Sequence, residues 1–125
     1  MNSAVIDTGG LIAWERATRS VVALVAEARA VGATLTVPAG CVAQAWRNPR
    51  RQARLAALLR RPEIDIVPLD ASDARLVGVL LASTQTTDTV DAHVAVCALR
   101  LGQPVLTSDP GDLSRLSADI ETVRV

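Results

Sequence analysis

The stretch that decides the fold is residues 86–113, which read TTDTVDAHVAVCALRLGQPVLTSDPGDL. Its first half predicts a helix, because apolar residues recur every three or four positions until Gly102, namely Val90, Val94, Cys97, Ala98 and Leu101. The run PVLT at 104–107 then has the length and apolar character of a strand buried on both faces. The stretch therefore predicts a helix, a tight turn and an inner strand of a parallel sheet.

Four aspartates lie in this stretch, and most of them have a structural interpretation as well as a functional one. Asp88 is a suitable N-cap for the helix, Asp109 is one before Pro110, and Asp112 favours the positive end of the helix that follows. Asp91 lies one helical turn after Asp88 and has no arginine nearby in sequence. Both interpretations stay open for Asp88, Asp109 and Asp112, whereas Asp91 favours a functional role.

A fifth aspartate ends the first strand of the chain. Residues 3–7, SAVID, predict a buried strand that stops at the glycines of TGG, and a buried Asp7 requires a cation, a metal ion or backbone donors. Because ligands bind at the carboxyl ends of parallel strands, we expect Asp7, Asp91 and Asp109 to share one pocket there. Carboxylates that converge in this way need a cation, and oxygen ligands suit Mg²⁺ or Mn²⁺. We therefore predict a metal site, with Asp112 beside it.

The remaining periodicities predict alternating strands and helices along the whole chain. Further strands are expected at 34–37, 64–69 and 120–123, and further helices at 11–14, 18–31, 38–46, 48–59 and 71–83. Strands that are separated by helices require right-handed crossovers and a parallel sheet. We therefore expect a single α/β domain over residues 1–125, in which a central parallel sheet lies between two layers of helices.

Composition excludes several classes of protein. The 125 residues are 50% hydrophobic, which is typical of a chain with a substantial core rather than a disordered one. No stretch reaches 18 apolar residues and the start MNSAVIDT is not a secretory leader, so we expect a cytoplasmic protein without a membrane span. Cys41 and Cys97 are far apart and have apolar neighbours, which favours core positions over a disulfide or a metal site.

The charges are distributed unevenly, although the net charge is zero. All 13 basic residues are arginines, and residues 28–62 contain seven of them without a single acid, whereas residues 63–125 carry a net charge of −6. Such a basic segment indicates a polyanionic partner or a solvated helix face, and both interpretations stay open. If the partner is a polyanion, the arginines that we expect to bind it are Arg47, Arg50, Arg51 and Arg54.

Three segments carry a family resemblance: VIDTGGLIA at 5–13, VDAHVAVCAL at 90–99 and VLTSDPGDL at 105–113. They resemble the acidic motifs of PIN-domain ribonucleases, specifically the VapC-type toxins of bacterial toxin-antitoxin modules. The resemblance implies a three-layer α/β/α domain, Mg²⁺- or Mn²⁺-dependent endonucleolytic cleavage of RNA, a homodimer and an antitoxin partner. It also implies that Asp7, Asp91 and Asp109 occupy the first, third and fourth acidic positions, with Asp112 as an accessory acid.

One position departs from this pattern. The family's second acid is a glutamate on the helix after the second strand, and the segment PAGCVAQAWRNP at 38–49 places Gln44 there. An amide can accept a hydrogen bond but brings no negative charge to a metal site. Natural weakening, an inactivating substitution and divergence of this chain all stay open as explanations. Two functions follow: a ribonuclease that uses a metal-activated water, or an impaired PIN-fold module that binds antitoxin or RNA without cleaving it.

The only histidine, His93, lies within the predicted helix that carries Asp91. We interpret it as a core-adjacent or surface residue rather than a general acid.

Overall fold

Five short strands form the centre of the molecule. In the computed structural model, which describes residues 3–125, they are Ala4–Ile6 (β1), Leu35–Pro38 (β2), Ile64–Val67 (β3), Val105–Thr107 (β4) and Thr122–Arg124 (β5). They form one parallel sheet in the order β3-β2-β1-β4-β5. Met1 and Asn2, the first two residues of the predicted domain, lie outside the described residues.

The helices of residues 3–125 lie between these strands. They are Thr8–Glu15 (α1), Arg19–Ala30 (α2), Ala39–Ala45 (α3), Ala53–Leu59 (α4), Ala71–Thr84 (α5), Thr89–Leu101 (α6) and Pro110–Ser114 (α7), and a 3-10 turn spans Pro49–Arg51. Within this part of the chain, no helix has the length and apolarity needed to cross a membrane.

The strand order determines where a site can form. The chain runs outward from β1 through β2 to β3, and then returns to the other side of β1 with β4 and β5. Right-handed crossovers in two opposite directions place the connecting helices on opposite faces of the sheet, so the predicted three-layer α/β fold is confirmed. The reversal lies between β1 and β4, where parallel sheets open a crevice at the carboxyl ends of the strands.

The core is densest around the inner strands and α6. Every residue of β1, β2 and β4 is buried, and so is every residue of α6 from Ala92 to Ala98. The helix is enclosed because it packs against β1 and β2 on one side and against α5 on the other. Cys41 and Cys97 are buried and free, as predicted.

The prediction of one helix over residues 48–59 is wrong, because the chain breaks at Gln52. The buried Gln52 amide accepts hydrogen bonds from the backbone nitrogens of Arg47 (2.7 Å) and Asn48 (2.8 Å). It also donates to the Glu15 carboxylate (2.9 Å) and to the carbonyl of Ala45 (2.8 Å). All hydrogen-bonding groups of the amide are thereby used to hold the connection between α3 and α4 in place.

The other predicted boundaries differ by a few residues, and two differences have a clear local cause. Helix α1 begins at Thr8 rather than at residue 11, because the side chain of Asp7 caps it by accepting a hydrogen bond from Gly10. Strand β3 ends at Val67 rather than at residue 69, where Pro68 offers no backbone N–H to the sheet.

We expect Gly10→Ala to destabilise the protein, because α1 lies directly against the sheet at this position. An added Cβ atom would lie 2.7 Å from Ile6 Cγ2 and 2.7 Å from the carbonyl oxygen of Leu106. Overpacking of this kind costs about 1–3 kcal/mol in the free energy of unfolding, which denaturant titration measures. The matched control is Gly78→Ala in α5, where an added Cβ meets nothing within 4 Å and should stabilise the helix by about 0.5–1 kcal/mol. Equal unfolding free energies for the two variants would contradict this account.

Candidate active site

Asp7 lies directly after β1, at the edge where that strand meets β4. Its Oδ1 accepts a hydrogen bond from the backbone nitrogen of Gly10 (2.8 Å), and its own backbone nitrogen donates to Leu106 (3.3 Å). The side chain is 8% exposed, and this burial raises the pKa of Asp7. Hydrogen bonds from Thr107, Gly10 and Gly9 act in the opposite direction on that pKa. The carboxylate is therefore held in one orientation by backbone donors.

Asp109 lies two residues beyond β4, the strand that pairs with β1. Its backbone nitrogen donates to the Thr107 hydroxyl (3.0 Å), and its exposed side chain makes no capping hydrogen bond to α7. Asp112, in the first turn of α7, is 3.4 Å from Arg115. Asp109 thus stands at the N-cap position without acting as a cap, which favours the functional interpretation.

Asp91 lies in the first turn of α6, where the side chain of Asp88 caps the helix by accepting a hydrogen bond from the Asp91 nitrogen (2.9 Å). Burial is the largest cause that raises the pKa of Asp91, and the negative charges of Asp88, Asp112, Asp7 and Asp109 add to it. Together they bring this pKa to about 6. The structure therefore brings the predicted acids from three separate segments into one electrostatic neighbourhood.

Three of the acids, Asp7, Asp91 and Asp109, form no salt bridge within residues 3–125. Converging carboxylates without a cation repel one another, so the site has the charge and the oxygen donors that a hard divalent cation prefers. The predicted ligands therefore fit Mg²⁺ or Mn²⁺ in chemistry.

A second cluster of polar side chains lies between α5 and α6. Among the described residues, the group of three whose ligand atoms all lie within 4.8 Å of one another is Asp73, His93 and Cys97. Asp73 accepts hydrogen bonds from Arg100 (2.6 and 3.2 Å) and contacts His93 Nε2 (2.7 Å). Arg100, and then His93, lower the pKa of Asp73 to about 2.

This cluster is an ion-pair network rather than a metal site, because a guanidinium already covers both oxygens of the Asp73 carboxylate. It also gives His93 a buried structural role, in agreement with its interpretation as a core-adjacent residue. Sequence reasoning missed Asp73, because residues in two different helices carry no signal of their pairing.

Gln44, which the motif comparison aligns with the family's second acid, lies on α3 and contacts the start of α1. Its side chain is exposed on α3, and its Oε1 accepts a hydrogen bond from the hydroxyl of Thr8 (2.7 Å), the residue after Asp7. The amide therefore contacts the residue that follows Asp7, and it carries no charge.

A sequence profile of the PIN domain matches residues 4–118. The chain belongs to the PIN domain family. Its backbone is similar to VapBC2 from Rickettsia felis bound to a DNA fragment from their promoter, with a TM-score of 0.72, 15% identity and 98% of each chain covered. It is also similar to FitAcB from Neisseria gonorrhoeae, with a TM-score of 0.64, 18% identity, and 97% of this chain and 96% of that chain covered. No curated protein sequence matches.

The basic segment of this PIN domain divides into two parts. Arg50 and Arg51 are exposed and make no side-chain hydrogen bond or ion pair within residues 3–125. Arg54 instead lies 5.1 Å from the ring centroid of Trp14 and donates to its carbonyl oxygen (3.4 Å), and Arg61 lies 5.1 Å from the same ring.

Arg47, the remaining one of the four arginines predicted to bind RNA, donates to the carbonyls of Ala43 (3.0 Å) and Trp46 (3.4 Å). Two of the four predicted RNA-binding arginines, Arg50 and Arg51, are therefore free of such contacts within the described residues, whereas Arg47 and Arg54 are held by the protein.

We expect Asp91→Asn to change how stability depends on pH. The pKa of Asp91 is raised in the folded state to about 6 from 3.8, so its contribution to stability is fully present below pH 4 and is lost as the pH rises through 6. After a discount for solvent screening, the loss is about 1 kcal/mol. The variant should therefore be more stable than the unmodified protein at pH 7. Its melting temperature should also change less between pH 4 and 6. The exposed Asp119→Asn is the control, and an identical pH profile for the two variants would exclude this repulsion.

Proposed function

We propose that this PIN domain is a metal-dependent endoribonuclease that acts as the toxin of a toxin-antitoxin pair. The observation that carries the proposal is that Asp7 and Asp109, at the carboxyl ends of β1 and β4, form no salt bridge within residues 3–125. In this proposal Asp7, Asp91 and Asp109 hold the ion, and Asp112 supports them. A bound Mg²⁺ or Mn²⁺ supplies a water of lowered pKa and positive charge near the phosphoryl oxygens.

The protein's own part is to bind and orient the RNA and to hold its acids in place. Backbone donors fix Asp7, and the pairing of β1 with β4 sets its distance from Asp109. Arg50 and Arg51 are exposed on the connection that follows α3, and we propose that they contact the phosphate backbone of the RNA. The Thr8–Gln44 hydrogen bond joins α1 to α3 and so supports the placement of this basic segment near Asp7.

We propose a homodimer because apolar side chains are exposed together on one face. Leu76 and Val79 of α5 are 50% and 70% exposed, and Leu99 of α6 is 43% exposed. The three residues line one groove of about 500 Å³ between the two helices. A contiguous apolar surface of this kind suits a second copy of the chain. The antitoxin partner is proposed from the resemblance to VapC-type toxins, and the backbone similarity to a VapBC2 complex supports it.

The alternative function is an impaired PIN-fold module that binds antitoxin or RNA without cleaving it. The observation that favours it is Gln44, an uncharged amide that is hydrogen-bonded to Thr8, the residue after Asp7. Measurement of RNA cleavage with and without Mg²⁺ separates the two functions.

We expect Gln44→Glu to strengthen the metal site. A carboxylate a few ångströms from a divalent ion is worth up to a few kcal/mol at a modest effective dielectric constant, so Mg²⁺ or Mn²⁺ should bind about tenfold more tightly or better. RNA cleavage should rise in parallel, and the metal-free variant should melt slightly earlier because of the added carboxylate repulsion. Titration calorimetry and a cleavage assay measure the two main effects.

The control for this prediction is Asp7→Asn in the Gln44→Glu background, which should abolish the gain. If the protein and its Gln44→Glu variant have equal metal affinity and equal activity, position 44 does not contribute to the metal site.

We expect the double variant Arg50→Ala, Arg51→Ala to weaken RNA binding without changing the melting temperature. Exposed arginines contribute little to folding, so the melting temperature should not change. For single-stranded RNA, each lost phosphate contact reduces the steepness of a plot of log binding constant against log salt concentration by about 0.7. Fluorescence anisotropy at several salt concentrations measures this slope. The matched control is Arg54→Ala, which should cost about 0.5–1 kcal/mol of stability because the Trp14 contact is lost. Unchanged affinities for RNA and antitoxin would show that the segment is only a solvated face.

A further inference from the structure

We propose that Gln52 is a positioning residue for RNA binding, because its buried amide sets the conformation of the connection that carries Arg50 and Arg51. This inference rests on the proposed function, in which these two arginines contact the phosphate backbone of the RNA. Gln52 is 5% exposed, whereas residues 47–51 are all exposed and the 3-10 turn contains no buried residue. Because the connection buries no apolar side chain, its conformation depends on hydrogen bonds.

One half of the Gln52 amide holds the start of this connection. Its Oε1 accepts hydrogen bonds from the backbone nitrogens of Arg47 (2.7 Å) and Asn48 (2.8 Å), which come just before the 3-10 turn. The side chain of Asn48 in turn accepts a hydrogen bond from the backbone nitrogen of Arg50 (3.2 Å). A series of hydrogen bonds therefore runs from Gln52 to the backbone of the first arginine that we propose to contact phosphate.

The other half of the Gln52 amide joins the connection to the helices that lead to the acids. Its Nε2 donates to the carboxylate of Glu15 (2.9 Å), the last residue of α1, and to the carbonyl of Ala45 (2.8 Å), the last residue of α3. Helix α1 begins directly after Asp7, so one short helix links the amide to the first acid. An element that is ordered before binding loses less conformational entropy when it binds. The amide thus orders the connection relative to Asp7 before RNA binds.

Gln52→Met tests this role without a change in charge, because methionine has a similar length but lacks the amide. The measurement is fluorescence anisotropy of a labelled single-stranded RNA of mixed sequence, with EDTA present so that no metal-dependent cleavage occurs. We expect binding to weaken about tenfold, because two arginine side chains must then be ordered when RNA binds. The matched control is Gln103→Met, which should leave RNA affinity unchanged. Gln103 lies two residues before β4, and its Oε1 has no hydrogen-bond partner within residues 3–125.

A double-mutant cycle separates positioning from a general effect on the fold. In the Arg50→Ala, Arg51→Ala background, Gln52→Met should change RNA affinity by less than about twofold, because the arginines that Gln52 positions are gone. The same loss of affinity in both backgrounds would show that Gln52 acts on the fold as a whole, and it overturns the inference. Unchanged affinity in the double arginine variant by itself overturns the proposed RNA contact, and the inference with it.

Hydrogen exchange of the free protein, followed by NMR, tests the structural step separately. The backbone amides of Arg47 and Asn48 should exchange faster in Gln52→Met than in the unmodified protein, because their acceptor is lost. If Gln52→Met does not fold at the assay temperature, Gln52→Asn takes its place. Its amide is one methylene shorter and does not reach all of the present partners, so the same changes are expected at smaller size. Exchange rates or an RNA affinity equal to those of the unmodified protein overturn the inference.

Discussion

The pairing of β1 with β4 is the constraint on which the rest of the site depends. Val5 lies opposite Val105 and Ile6 lies opposite Leu106, so both strands end at the same level. Asp7 and the Thr107–Asp109 segment then leave the sheet side by side, and the reversal of strand order at this point keeps other strands out of the crevice between them. Because both strands are buried throughout, a slip of register would expose apolar residues and would separate the two acids.

Helix α1 connects Asp7 to the basic segment. Its first residue follows Asp7, and its last turn contacts the start of α4 through Trp14 and Glu15. Trp14 donates its indole N–H to the carbonyl of Arg54 (3.1 Å), and Glu15 accepts from the buried amide of Gln52 (2.9 Å). The connection that carries Arg50 and Arg51 is therefore hydrogen-bonded to α1, the helix that follows Asp7.

The molecule treats its buried acids in two opposite ways. Asp73 is paired with Arg100 and His93, and the resulting network joins α5 to α6 with its charge neutralised. Asp7 is also buried but forms no ion pair within the described residues. The pKa of Asp91 is raised by the negative charges of neighbouring carboxylates. Repulsion of this kind lowers the stability of the folded chain, and we therefore interpret the second arrangement as functional rather than structural.

Sequence alone determined most of the elements and singled out five aspartates. The apolar runs at 3–7 and 104–107 and the periodic stripe from Val90 to Leu101 are local patterns, so these elements and the positions of Asp7, Asp88, Asp91, Asp109 and Asp112 relative to them could be predicted. The break at Gln52 could not, because it depends on contacts with Glu15 and Ala45. Gln44 could be placed near the site only through the motif that surrounds it.

Only the tertiary structure decided the contacts between residues far apart in the chain. These include the Asp73–Arg100 pair, the Trp14–Arg54 stack and the Thr8–Gln44 hydrogen bond, whose partners are 27, 40 and 36 residues apart. Hydrophobic periodicity tells which face of a helix is buried, but it does not tell how that helix is rotated or shifted against its neighbour. Which arginines remain free for a ligand, and which acids remain without a cation, depends on that packing.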